Sequence, residues 1–516
     1  MAQPAAPLMS PTQRRRAFRG LLLALFAGLL SSTVVVTALP RVVADLGGSQ
    51  AAFTWVVAAT MVASTLSLPL WGRLADLTDR KVLLHLSLGL FALGSAGCAL
   101  AGDVGQLVAG RAVQGLGAGG VNAVAQVVMA SLVSPRERGR YNGRITLVMT
   151  AGTVAGPLLG GVLADTPWPG WRGCFHLGVL LAAAAGLALR RTPRLPAPGR
   201  AARGARPDLW GAALLTGAVG ALLHAVTRAG DGAAWVSWPT AGSACAALVL
   251  AVLFVRRTSR AAEPLVPLGL LRDRTVTLSA LAGFAVGPAL FAAPALLGQY
   301  FQTARAESPA VSALLTLPMI AGLLSGSAVS GRLITARGRW KRVLVAGGVL
   351  LVLGFSLMGA AGADTSLPLV GAALFAGGAG VGAVSQNLVP IAQNAAPPDA
   401  LGATTSLVIL SRSLGGVLGL AALGSLLTAR VDALAAAHVP SVPGAGPDGG
   451  LPDPRALSSS AGEGVRAVYG QAFGDVFAAA VPFALLALTA VLLLRETPLR
   501  TAADEPPSAP GAVARR

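Results

Sequence analysis

Fourteen apolar runs, bounded by charged residues or by Pro and Gly, follow one another along the chain. They lie at about residues 20–40, 53–71, 82–101, 105–133, 144–164, 174–189, 209–228, 236–255, 275–301, 309–331, 342–362, 366–394, 401–428 and 473–494. Roughly 20 apolar residues carry a helix across the hydrocarbon core of a bilayer. The pattern therefore predicts an all-α polytopic membrane protein with fourteen transmembrane helices. Composition agrees: of 516 residues, 54% are hydrophobic and 12% charged, about half the 25% charged residues of a soluble chain. Mean hydropathy is +0.68. A soluble globular domain and a disordered chain are both excluded.

The net charge of +19 is topological. Nucleic-acid binders gather basic residues on a soluble face among base-stacking aromatics, whereas aromatics are only 5% here, so nucleic acid is not an expected partner. With the N-terminus inside, 31 of the 40 Lys and Arg fall in inner segments, 7 fall outside, and Arg111 and Arg412 sit within spans. Lys and Arg are retained on the cytoplasmic side, so both termini are expected in the cytoplasm of a cell-membrane protein. Arg14, Arg15 and Arg16 precede an apolar run too long for a signal peptide, and the first span is expected to stay. Cys98, Cys174 and Cys245 lie far apart in apolar segments, and His85, His176, His224 and His438 are scattered. No disulfide framework, metal site or cofactor is expected. Neither Lys81 nor Lys341 stands in a phosphate-cradling loop, so energy must come from a gradient or a partner. No acid pair or nucleophile elbow marks an enzyme.

An internal repeat divides the chain. Gly72-Arg-Leu-Ala-Asp76-Leu-Thr-Asp79-Arg80-Lys81 follows the second run, and Gly331-Arg-Leu-Ile-Thr335-Ala-Arg-Gly338-Arg339-Trp-Lys341 follows the tenth. Setting aside the pair 209–255 puts both after the second helix of a six-helix set. The organisation expected is a six-helix bundle over 1–189, basic linkers with an inserted helix pair over 190–273, and a second six-helix bundle over 274–498. A polar outer loop at 429–472 and a cytoplasmic tail at 499–516 complete it. Two duplicated bundles around a midplane site are how many secondary transporters achieve alternating access. A carboxylate such as Asp76 can pair with Arg or cap a helix, so Gly72, Asp76, Arg80 and Lys81 are read as a gating loop.

The first of these loops resembles the major facilitator superfamily signature Gly-x-Leu-Ala-Asp-x-x-Gly-Arg-Lys, with Asp79 in place of the second Gly. Arg111-Ala-Val-Gln114-Gly115-Leu-Gly117 is similar to that family's Arg-x-x-Gln-Gly-x-Gly motif. Gly152-Thr-Val-Ala-Gly156-Pro157-Leu-Leu-Gly160-Gly161 is similar to the fifth-span motif of its exporting, antiporter branches. Thr54-Trp55, Pro135-Arg136-Glu137-Arg138-Gly139, Gln393-Asn394 and Arg412-Ser-Leu-Gly415-Gly416 extend the likeness over about residues 20–430. Together they point to the fourteen-span drug:proton antiporter branch.

The resemblance implies a major facilitator fold of two six-helix bundles plus the inserted pair. It also implies export of lipophilic drugs or antibiotics, with protons as the coupling ion and a role for Arg111 in proton transfer. Gln114 and Arg412 join Arg111 as charge-relay candidates, and a monomer is expected. An importer of a small organic molecule, or a non-transporting receptor or scaffold on the same fold, stands as the alternative. Glycines at i, i+4 and i+8 of the fifth run leave a bare stripe for close helix packing, and Pro157 bends the helix.

The branch usually carries Leu-Asp-x-Thr-x-x-Asn-x-Ala-Leu-Pro in the first span. Here Ser31 replaces the Asp, Val36 replaces the Asn, Thr33 is kept, and no carboxylate falls in the middle of a span. A lipophilic cation needs a buried counter-ion. Neutral or anionic lipophiles are therefore the expected substrates, balanced by Arg111 and Arg412, each of which costs roughly 2.5 to 3.5 kcal/mol at membrane depth. Asp76 is left as the expected proton carrier. Ser31, Thr33, Trp55, Tyr300, Gln302, Gln386, Asn387, Gln393 and Asn394 are the candidates to line the substrate cavity.

Overall fold

The computed structural model describes residues 11–48, 50–132, 138–190, 208–230, 237–261, 268–396, 401–438 and 459–496. Among them every regular element is helical, because lipid offers backbone N–H and C=O groups no partner and a helix satisfies them internally. In order these are α1 (Pro11–Asp45), α2 (Gln50–Leu77), α3 (Arg80–Ala99), α4 (Val104–Leu132), α5 (Arg138–Asp165), α6 (Arg172–Arg190), α7 (Leu209–Gly230) and α8 (Trp238–Thr258). There follow α9 (Arg274–Gly287), α10 (Ala293–Thr303), α11 (Pro309–Arg337), α12 (Lys341–Gly359), α13 (Leu367–Ala395), α14 (Leu401–His438) and α15 (Ser459–Leu493). A π-helical turn at Pro288–Ala292 joins α9 to α10 as one rod. Thirteen of the resulting fourteen rods have the length and hydropathy of a membrane span; the other is the glycine-rich α5.

Packing repeats itself. Helix α4 is sandwiched between α2 and α3, as α13 is between α11 and α12; α1 pairs with α5 and α6, as α9 pairs with α14 and α15; α3 packs on α6, as α12 packs on α15. Backbone contact makes these seams tight. A Cβ on Gly117 would lie 2.3 Å from the Phe91 nitrogen, and one on Gly380 would lie 2.5 Å from the Leu351 nitrogen. The halves meet along α5–α11, α2–α14 and α1–α10.

The inserted α7 lies against both α2 and α14, while α8 packs on α7. Ser425 Oγ donates to the Val226 carbonyl at 2.9 Å. At the base of the pair, Asp208 caps α7 through the Gly211 N–H at 3.0 Å and holds Arg257 of α8 at 3.1 Å.

Several expected boundaries shift. Residues 429–438 continue α14 and 459–472 belong to α15, so most of the expected outer loop on either side of 439–458 is helical. The alanine-rich stretch Ala433–His438 has high helix propensity despite its polar neighbours. Gly72–Leu77 belong to α2, which shortens the expected gating loop to Thr78 and Asp79. Gly331–Arg337 likewise belong to α11, which ends at Gly338 with φ 66°, a left-handed cap. Residues 191–207, 439–458 and 497–516, covering the basic linker, the loop centre and the tail, lie outside the described residues.

Candidate functional site

We call the face bearing the start of α1 and the α2–α3 and α11–α12 turns the basic face. In the α2–α3 turn, Asp79, the departure from the family motif, is the N-cap of α3 and accepts from the Lys81 N–H at 2.7 Å. Arg80 is buried, its Nε donating to the Ala75 carbonyl at 3.1 Å, and Lys81 Nζ reaches the Arg190 carbonyl at 3.1 Å. The two cations thus cover the C-terminal ends of α2 and α6, where the helix dipole favours positive charge. The side chain of Asp76 lies outside the described residues; Gly72 has open space beside it.

A buried polar network joins four helices of the first bundle. Arg111 Nη1 donates to Gln114 Oε1 at 2.6 Å; Gln114 Nε2 donates to Ser95 Oγ at 2.8 Å and Ser31 Oγ at 3.2 Å. Arg111 Nε faces the Val56 carbonyl at 3.4 Å, and Thr60 Oγ1 donates to the Arg111 carbonyl at 3.2 Å. Arg111, Gln114, Ser31 and Ser95 are all buried. Ser31, at the position of the missing carboxylate, is an acceptor within this network.

The glycines of α5 divide between two partners. A Cβ on Gly152 would meet Leu29, one on Gly156 would strike Thr33, and one on Gly160 would lie 2.2 Å from the Val34 carbonyl oxygen, all on α1. Gly161 instead faces Pro309 and Ala310 of α11. Pro157 lies inside the same helix. Four residues beyond Gly161, Asp165 spans the bundles: its carboxylate accepts from the Ala310 N–H at 3.2 Å and pairs with Arg41 at 3.4 Å. Gln302 Nε2 adds a bond to the Thr37 carbonyl at 3.1 Å. These contacts close the face opposite the basic one.

Asp165→Ala should weaken that closure by about 0.5–2 kcal/mol, the worth of a helix cap. Distances between spin labels at Ala44→Cys and Ser366→Cys, both exposed on that face, should broaden toward an open population in a Cys245→Ser background. An unchanged distribution would refute the latch.

The remaining cavity candidates have varied surroundings. Thr33 bonds the Gly152 carbonyl at 3.2 Å within the α1–α5 seam. Trp55 faces the exposed His224 of α7, ring centroids 6.3 Å apart. Tyr300 is buried, donating to the Gly362 carbonyl at 2.9 Å beneath Arg305. Asn387 Nδ2 donates to Ser330 Oγ at 3.0 Å across α11–α13. Gln386 is exposed, three turns from the exposed Phe375 on the same face. Gln393 Nε2 donates to Thr405 Oγ1 at 2.7 Å, and Asn394 is half-buried. Arg412 Nη1 donates to Ser385 Oγ at 2.9 Å. Sequence reasoning missed Asp165, Ser95, Thr60 and Ser385; the latter three are small hydroxyls common in any membrane helix.

Two equivalent six-helix bundles in a multi-pass membrane chain, meeting along paired seams, define a secondary-transporter architecture. The chain belongs to the Major Facilitator Superfamily, whose sequence profile matches residues 21–420. Among its relatives, the MFS-type efflux pump MMF1 of Pseudozyma antarctica (strain T-34) is 30% identical, over 93% of this chain and 90% of its own. The multidrug transporter protein MdtP of Bacillus subtilis (strain 168) is 30% identical, over 81% of this chain and 76% of its own. These relatives fit the multidrug efflux branch, and the protein is a transporter rather than an enzyme. In structure, a bacterial homologue of the human lysosomal transporter Spinster shares the fold, with TM-score 0.67 and 15% identity over 94% of this chain and 97% of that one.

Proposed function

We propose that the protein exports lipophilic small molecules, drugs or antibiotics among them, across the cytoplasmic membrane in exchange for protons. The observation that carries the reading is the seam of α1, α5, α10 and α11, which holds the bundles together away from the basic loops. The positive-inside rule puts those loops and both termini in the cytoplasm. The space between the bundles is then offered to cytoplasmic solutes while the outer side is shut, and rocking of the bundles breaks the seam and releases the cargo outward. Relatives named as an efflux pump and a multidrug transporter support that direction. An arginine keeps its proton, so the exchanged proton is assigned to Asp76 at the basic end of α2.

Inside-out vesicles test this. Acidifying the lumen should drive accumulation of a fluorescent lipophilic drug, a protonophore should abolish it, and Asp76→Asn should uncouple it. Accumulation only in right-side-out vesicles would make the protein an importer, and movement indifferent to the gradient would remove proton exchange.

A further inference from the structure

The two arginines at membrane depth differ in what satisfies them. Arg111 is held by Gln114 and the Val56 carbonyl inside a closed network. Arg412 has one bond described, from Nη1 to Ser385, and its buried Nε has no partner among the described residues. It lies eleven residues into α14, roughly 16 Å from the basic face, and is partly exposed. Helices α9 and α13, and residues 401–431 of α14, contain no Asp or Glu. The ion pairs Arg41–Asp165, Arg172–Asp45, Arg257–Asp208 and Arg430–Asp475 draw their carboxylates from elsewhere. A cation so placed keeps spare donors in a medium where an unmet charge is costly.

The seam leading to it is polar as well. Between α13 and α14, Gln393 bonds Thr405 near the basic face. Eight residues along α13 and seven along α14, roughly 12 and 10 Å deeper, stands the Ser385–Arg412 pair. Two polar rungs thus lie along the α13–α14 seam between the basic face and a guanidinium whose Nε is left over.

We infer that Arg412, positioned by Ser385, recognises the anionic group of an amphiphilic substrate, a carboxylate or sulfonate on an apolar body, entering along the α13–α14 seam. The planar guanidinium fork matches such an oxyanion and can supply two parallel bonds, while the surrounding apolar helices accept the rest of the molecule. This inference rests on the export reading and names the substrate class for it.

The test uses a matched pair carrying one fluorophore: dansylglycine, a carboxylate, and dansylcadaverine, an ammonium. Binding to the purified full chain is read by fluorescence, and export from proteoliposomes by release under a pH gradient. Wild type should bind and export dansylglycine in preference to dansylcadaverine. Arg412→Gln should weaken dansylglycine binding at least about tenfold, as loss of a charge-assisted hydrogen bond does, and Arg412→Lys should restore part of it. Ser385→Ala, which leaves the cation in place should Arg412→Gln fail to fold, should raise KM for dansylglycine with kcat little changed.

Preference for dansylcadaverine, or dansylglycine binding unaffected in both Arg412→Gln and Ser385→Ala, overturns the anion site while the export reading stands. Binding of dansylglycine that depends on Arg412, without any export of either compound, would instead sink the export reading and keep the site.

Discussion

Gly161→Ala is expected to stop net export while leaving the protein folded, whereas Gly160→Ala should impair folding itself. The two glycines are neighbours on α5, but they face different bodies. A Cβ on Gly161 would lie 2.6 Å from both Ala310 Cα and the Pro309 carbonyl oxygen, on the other bundle. Real Cβ atoms do not approach backbone that closely, so α11 must withdraw, and the two bundles can separate without disturbing either core. A Cβ on Gly160 would lie 2.2 Å from the Val34 carbonyl oxygen within the same bundle; relief there forces α1 and α5 apart, at the roughly 1–3 kcal/mol or more of an overpacked core. Gly186→Ala, with nothing within 4 Å, is the control. Gradient-driven export and thermal unfolding in detergent, measured on all three, separate the cases. Full export by Gly161→Ala would show that closure of this seam plays no part in the cycle.

Arg111→Met should cost stability and at least about tenfold in export, and only the first loss should be recoverable. Methionine fills much of the arginine's volume but leaves Gln114 Oε1, buried and bonded at 2.6 Å in the native protein, without that donor. An orphaned buried acceptor costs about 1–3 kcal/mol. Arg111→Met with Gln114→Leu removes both partners and should regain stability, because a well-packed apolar replacement of a buried polar cluster is often neutral or better. If the double variant also regained export, Arg111 would be a packing residue. Continued loss of export at restored stability would assign the guanidinium to the transport cycle.

The spans and the duplication are legible in the sequence because both rest on chemistry that the bilayer imposes: apolar length, charge at the ends, and the repeated Gly72 and Gly331 stretches. The close-packing glycines of α5 are legible for the same reason, since a bare stripe has few other uses. Which face a polar residue occupies is not. A soluble helix shows its buried side by an apolar stripe, but a membrane helix is apolar all round. Thr33, Tyr300, Gln302 and Gln393 therefore read like the exposed Gln386, although the first four hold helices and loops together. Asp165 escaped notice because its role depends on the N-terminus of α11, 145 residues away in sequence. The helical extensions of α14 and α15 were hidden by flanking Pro and Gly, which outweighed the local alanine content of Ala433–His438.

The hairpin of α7 and α8 makes the two flanks of the transporter unequal. Along one edge, where α2 meets α14, α7 bridges both bundles; along the other, where α5 meets α11, no comparable element among the described residues stands guard. A hydrophobic molecule already dissolved in the leaflet consequently meets a shuttered edge on the first side and a bare junction on the second. Sideways approach from the lipid phase is thus screened by a third element at the α2–α14 edge, whereas at the α5–α11 edge the described residues leave the seam itself facing lipid.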